Sequence, residues 1–226
     1  MPDWLLLMWQ SLGPLLVGGI KFTVPLALLS FAVGLLVAFA AALARLFGPP
    51  PLVALVRFYI WLIRGTPLLV QLFVIFYGLP SVGIVLDPLT AALIGFSLNI
   101  GAYNAEVIRG AIEAIPSGQW DAAYSLGMTR AQALRRTVLP QAARVAVPPL
   151  ANSFIALVKD TSLAAVITVP EIFQAAQRIA SVTYEPLVLY VEAALIYLVL
   201  CSVLSSLQVR LERHFSRHAV FAEGRR

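Results

Sequence analysis

Lys159 and Asp160 lie side by side in a stretch that is apolar on both flanks, between positions 145 and 169. An ionisable group in a membrane-spanning segment costs several kcal/mol, roughly 3 each on insertion scales, unless it is paired or wetted. Consecutive helical positions do not face one another, so a salt bridge within the pair explains both residues only where the helix is broken. Pro148 and Pro149 before the pair, with Thr161 and Ser162 after it, predict such a break and free backbone groups near mid-membrane. Two readings follow. Either the pair borders a water-filled cavity, where a neighbouring cation and anion can read a substrate head bearing both charges, or it anchors a span at the outer headgroups. Asn99 and Tyr103 have i, i+4 spacing, so both can offer hydrogen bonds to one polar substrate, or to a neighbouring helix. Glu106 and Arg109, at i, i+3, read as pairing at a helix end. Arg64, Gly65, Thr66 and Pro67 read as a helix entrance, Gln71 one turn on as gate or packing, and Glu192 as cavity-facing or partner-paired.

Other chemistry is excluded or weak. A phosphate-cradling loop needs Gly-Lys followed by Ser or Thr, and the two lysines, Lys21 and Lys159, follow Ile20 and Val158. Nucleotide energy must therefore come from another polypeptide. His214 and His218 have i, i+4 spacing, but without an H-E-x-x-H pattern they read as part of a solvated basic tail, and no metal site is expected. The single cysteine, Cys201, excludes an intrachain disulfide and a cysteine cluster. A rival from another class is an intramembrane enzyme using Asp160 or Glu192 with Lys159.

The elements that must position these groups follow from composition. Of the 226 residues 60% are hydrophobic and 12% charged, against about 45–50% and about 25% in soluble domains. So few charges cannot make a water-soluble surface, and the chain reads as an all-α integral membrane protein. Residues 22–44 carry no charge and exceed the roughly 20 needed to cross a bilayer. Further spans are expected at 65–79, entered through 52–63, at 89–105, across a broken stretch from 145 to 169, and at 187–209. That makes five transmembrane helices in one domain, 1–226. Residues 1–13 lack the basic flank of a signal peptide and read as an interfacial segment, with Trp4 and Trp9 at the headgroups. Thirteen of the 16 basic residues follow spans one, three and five, the exceptions being Lys21, Lys159 and Arg178. The N-terminus is therefore expected outside and the C-terminus in the cytoplasm. The net charge of +5 thus reflects orientation and calls for no nucleic-acid partner.

The long cytoplasmic loop, 113–141, carries helix punctuation. Ser117 is the expected N-cap of a first helix and Gly127 its left-handed terminus. Thr129 and Gln132 form a capping box for a second helix, expected to end at Leu139 and Pro140. Trp120, Ala123 and Tyr124 share one face and form an apolar ridge, for a partner's groove or for the chain's own membrane helices.

The series Asp121, Ala122, Ala123, Gly127, Leu139 and Pro140 resembles the EAA loop of ABC importer permeases, with Asp121 in place of the usual glutamate. The resemblance implies the type I permease fold and coupling helices that sit in a cleft of a cytoplasmic ATPase. Arg64-Gly65-Thr66-Pro67 with Gln71, Asn99 with Tyr103 and Glu106, and Lys159 through Leu163 are similar to the polar amino-acid branch of these permeases. Leu139 through Arg144, Pro148-Pro149 through Phe154, and Val169-Pro170-Glu171 look most like the permeases of bacterial L-cystine importers; sister permeases for histidine, arginine, glutamine and glutamate share much of the scaffold. The resemblance implies a non-enzymatic chain in the bacterial inner membrane, with no cofactor of its own. It also implies an ATPase dimer that binds ATP and Mg, a second permease copy, an extracytoplasmic amino-acid-binding protein and surrounding lipid. Ser117 to Pro140 would transmit ATPase closure.

Overall fold

The computed structural model describes residues 3–216, with side chains through Arg210. His218, Arg217, Arg225 and Arg226, and the side chains of Arg213 and His214, lie outside the described residues. Every regular element described is helical. Helix α1 (Asp3–Gly18) passes through a π turn, Gly19–Thr23, into α2 (Val24–Phe47). Helix α3 (Pro50–Arg64) is followed by the short α4 (Leu68–Phe73), then α5 (Pro88–Glu113), α6 (Ser117–Ser125) and α7 (Arg130–Ala133). Helix α8 (Leu139–Asp160) tightens into 3₁₀ turns at Thr161–Ile167, and α9 (Ile172–Thr183) and α10 (Pro186–Ser216) complete the chain.

Four helical stretches are long and apolar enough to cross a membrane, and the bent pair of α3 with the segment from Leu68 to Val82 brings the number to five. The first covers 45 residues, Asp3–Phe47, a helical path of roughly 68 Å against about 30 Å of hydrocarbon. Helix α2 supplies the expected span. The preceding residues form a helix continuous with it, seated on α9 and α10 through Leu15, with Trp4 and Trp9 exposed.

Helices α2 and α5 form the central pair. Their seam is built from small residues, with Ala38, Ala41 and Ala42 against Ala102 and Ala105. Without a hydrophobic drive between helices in lipid, close backbone approach and dispersion must supply the association, and small side chains permit both. A Cβ on Gly34 would lie 2.6 Å from Ile100 Cγ2 and 2.9 Å from the Ser97 carbonyl oxygen. Asp87 caps α5 by accepting the Thr90 N–H at 3.0 Å, and the Thr90 hydrogen bonds hold its carboxyl below the usual value.

Several sequence expectations shift. The second expected span is divided by a 104° bend: Arg64 ends α3, Gly65 caps it and Pro67 is the N-cap of α4, so the motif is the expected helix entrance and also the corner that closes the helix before it. Pro148 and Pro149 sit inside an unbroken α8, and the irregularity comes after Asp160. Neighbouring helices allow such prolines to stay helical. The 3₁₀ turns close at Thr168, whose φ of +66° is unusual for a β-branched residue. Helix α5 runs two turns past Ala105 to Glu113.

Candidate functional site

Asp160, Ala156 and Ser153 follow the i, i+4, i+7 stripe of α8, and this stripe faces a cavity of about 350 Å³. Asn99 and Tyr103 of α5 face the same space, so the two residues paired by spacing do share a pocket. The third wall is the corner between α3 and α4, at Thr66, Pro67 and Leu68. Arg64 lays its guanidinium over the Tyr103 ring, 5.2 Å from the centroid.

The rest of the expected polar set points elsewhere. Lys159 is one position, or about 100°, around the helix from Asp160, and its side chain is exposed outside the cavity lining. Thr161 is fully buried and donates its hydroxyl to the Val158 carbonyl at 2.7 Å, while Ser162 donates to the Lys159 carbonyl at 2.7 Å. Both hydroxyls satisfy carbonyls freed at the end of α8. The enzyme alternative loses its constellation, because Glu192 is buried on α10 against the Ser11 hydroxyl of α1, beside an apolar cavity distinct from the one Asp160 lines.

Gln71 holds the pocket's third wall. Its amide Nε2 donates to the Ile63 carbonyl at 2.7 Å and lies 3.0 Å from the Thr66 carbonyl, across the bend. Thr66 in turn donates its hydroxyl to Leu62 O at 2.9 Å. Thr66 and Ser153 as pocket residues were missed from sequence, although counting back seven from Asp160 reaches Ser153. Glu171 was missed as a fully buried carboxylate: it accepts the Phe173 and Gln174 N–H groups at the start of α9 and the Tyr197 hydroxyl.

At the other end of α5, Glu106 bonds Arg45 of α2 and Arg109, and Arg109 reaches Glu113. The expected helix-end pairing is thus a four-residue chain that spans two helices. Below it, α6 turns Ala123 inward and sets Trp120 edge-on to Phe47 of α2, with centroids 6.5 Å apart, and Arg130 lies 4.6 Å from the Phe47 centroid. The apolar ridge is therefore divided, with Trp120 and Ala123 against the chain's own helices and Tyr124 exposed. Asp121, Ala122, Ser117, Gly127 and Pro140 are exposed, and Leu139 is half-buried.

Gly127 takes the expected left-handed conformation, φ +74°, and the Thr129–Gln132 capping box is present. Ser117, however, is the first helical residue. Pro116 occupies the cap without a side-chain bond. Helix α7 also does not stop at Leu139 and Pro140: a π turn, Leu134–Val138, carries it into α8 and accommodates Pro140 within the continuous helix. The α7 helix is thereby continuous with the helix that carries Asp160.

The sequence model described as "Binding-protein-dependent transport system inner membrane component" matches residues 33–217. The L-cystine transport system permease protein TcyB of Bacillus subtilis is 50% identical over 213 residues, covering 94% of this chain and 91% of that protein. The glutamine transport system permease protein GlnP of Escherichia coli is 38% identical over 213 residues, covering 93% and 96%. Among solved structures, a crystal structure of an amino acid ABC transporter with histidines superposes with a TM-score of 0.87 at 37% identity, over 92% of this chain and 97% of that one. The chain therefore belongs to the family of inner-membrane components of binding-protein-dependent transport systems, as a multi-pass, non-catalytic permease subunit of an ABC transporter whose ATPase is a separate polypeptide.

Proposed function

We propose that this chain, 1–226 acting as one membrane domain, forms the translocation pathway of an amino-acid importer, with L-cystine as the substrate. The identity with the Bacillus subtilis cystine permease supports the substrate. The observation that carries the pathway is the cavity shared by Asn99, Tyr103, Ser153, Thr66 and Asp160. A carboxylate at one wall suits an ammonium group, the amide and hydroxyls complete a polar lining, and Arg64 stacked on Tyr103 stands ready for a carboxylate. Lys159, Thr161 and Ser162 shape the end of α8 around this space, outside its lining.

Five spans are too few to enclose a gated route, so two copies face one another, with an ATPase dimer against the cytoplasmic helices and an amino-acid-binding protein on the opposite face. The N-terminus lies outside and the C-terminus in the cytoplasm. Asp121, Ala122 and Tyr124 meet the ATPase, which alone binds ATP and Mg. Trp120, Ala123, Gly127, Leu139 and Pro140 hold that surface in place, and Ser117 opens its helix. Uptake competition among cystine, histidine, arginine, glutamine and glutamate, in membranes carrying the full complex, tests the substrate. Strongest competition by any amino acid other than cystine would reassign it within the same transporter class.

A further inference from the structure

Resting on the importer function proposed above, in which Tyr124 meets the ATPase, we propose that Phe47, the last residue of α2, is a positioning residue for coupling, holding both arms of the α6–α7 corner on the helix that backs the Asp160 cavity. Two contacts converge on the Phe47 ring. Trp120 of α6 stands edge-on to it, with centroids 6.5 Å apart, and the Arg130 guanidinium of α7 lies 4.6 Å from its centroid. Trp120 in turn packs on Tyr124, with 6.3 Å between centroids. Three rings thus run from an exposed tyrosine to the end of α2.

Neither arm of the corner holds its place alone. Helix α6 has 9 residues, of which Ala123 is the buried one, and a helix that short needs tertiary contacts to persist. Arg130 opens α7, where the helix dipole disfavours a cation, and it forms no ion pair among the described residues. The face of the Phe47 ring supplies the negative charge density that this position lacks. Gly127, with φ +74°, lies between Trp120 and Arg130, so one side chain of α2 grips the chain before and after the left-handed corner. Phe47 is itself held in place, because the Gly48 N–H closes α2 on the Ala44 carbonyl at 2.8 Å and Pro49 and Pro50 fix the start of α3. From Phe47 back to Gly34, α2 is about 20 Å of unbroken helix. Gly34 abuts Ile100, and Ile100 lines the Asp160 cavity beside Asn99. Arg45, two residues before Phe47, bonds Glu106 of α5. A movement of α6 is thereby delivered to α2 and, through a seam without slack, to the α5 wall of the cavity.

The test uses the purified permease–ATPase complex in liposomes with its amino-acid-binding protein, loaded in turn with cystine, histidine, arginine, glutamine or glutamate. It reads the recovery of the complex, basal ATP hydrolysis, and the stimulation of hydrolysis by the loaded binding protein. Phe47→Leu, which keeps an apolar side chain and removes the ring, should lower stimulation about five- to ten-fold, the order expected when a ring–ring and a cation–ring contact are lost together. Recovery and basal hydrolysis should stay as in the wild type. Phe47→Tyr keeps the ring and should keep the stimulation. Arg130→Gln, a change at an exposed side chain, should lower stimulation about two- to four-fold. Unchanged stimulation in Phe47→Leu, or an equal loss in Phe47→Tyr, would overturn the proposal. So would a fall of recovery and basal hydrolysis in step with stimulation in Phe47→Leu while Arg130→Gln is unaffected, which would make Phe47 a packing residue only. A wild-type complex that none of the five amino acids stimulates would overturn the importer function itself, and the role of Phe47 with it.

Discussion

The Gln71 side-chain amide reaches back across a 104° bend to the Ile63 carbonyl, 2.7 Å away, and so ties the last turn of α3 to the first turn of α4. A helix that stops inside a membrane leaves carbonyls without intrahelical donors. Gln71 supplies N–H donors to that end, and the corner it holds is one wall of the cavity that Asp160 lines. Gln71→Leu should cost about 1 kcal/mol, the net worth of a hydrogen bond to carbonyls that are only partly buried. Gln71→Glu should do no better, because a carboxylate brings acceptors where donors are needed. Thermal unfolding of the purified complex reads both; an unchanged midpoint in Gln71→Leu would refute this role.

Packing between α2 and α5 has no slack at Gly34. Gly34→Val should destabilise by about 1–3 kcal/mol, as overpacking does. Because the nearest atoms belong to the Ile100 side chain, Ile100→Ala in the same chain should recover part of the loss. The Ser97 carbonyl remains in the way, so recovery is incomplete. A double-mutant cycle on unfolding midpoints measures this, and strict additivity would show that the two residues do not compete for the space.

At Gly127 the constraint is conformational, since a Cβ there meets nothing within 4 Å but φ is +74°. Gly127→Val should strain the corner by about 1–2 kcal/mol, whereas Gly127→Asn, whose side chain tolerates the left-handed region, should cost less. Under the proposed coupling role, the valine variant reaches the membrane in normal amounts and loses substrate-stimulated ATP hydrolysis, while the asparagine variant keeps most of it. Normal stimulation in Gly127→Val would count against coupling through this corner.

In the proposed substrate pocket, Asp160 and Lys159 should behave differently despite being neighbours. Asp160→Asn removes a charge from the lining and should weaken substrate affinity roughly ten- to a hundred-fold, the range of a charge-assisted hydrogen bond. Lys159→Gln alters an exposed side chain and should change affinity far less. Transport titrations in membranes with the whole complex compare the two, and equal losses would return the pair to a joint role.

Much of the candidate site was legible because helical spacing is a local property. Asn99 and Tyr103 at i, i+4 did arrive in one cavity, and Gly127, Thr129 and Gln132 punctuate the helices of the 113–141 segment as their residue types dictate. The misplacements share a cause. Lys159 looked equivalent to Asp160 because adjacency along the chain says nothing about which side of α8 its neighbours occupy. Pro140 looked like a stop because a π turn that absorbs it leaves no mark in composition.

The sequence by itself determined the helical membrane class, the polar residues of the spans, the capped corner of the 113–141 loop and the family resemblance, since all of these depend on local periodicity, residue chemistry or motif. Only the tertiary structure decided that Asp160 joins Asn99 and Tyr103 while Lys159 does not, and that Gln71 and Glu171 cap helix ends. It also decided that Phe47 meets both Trp120 and Arg130. These relationships join residues on separate helices or across a bend, and their geometry is set by close packing of small-residue seams, which no single segment encodes.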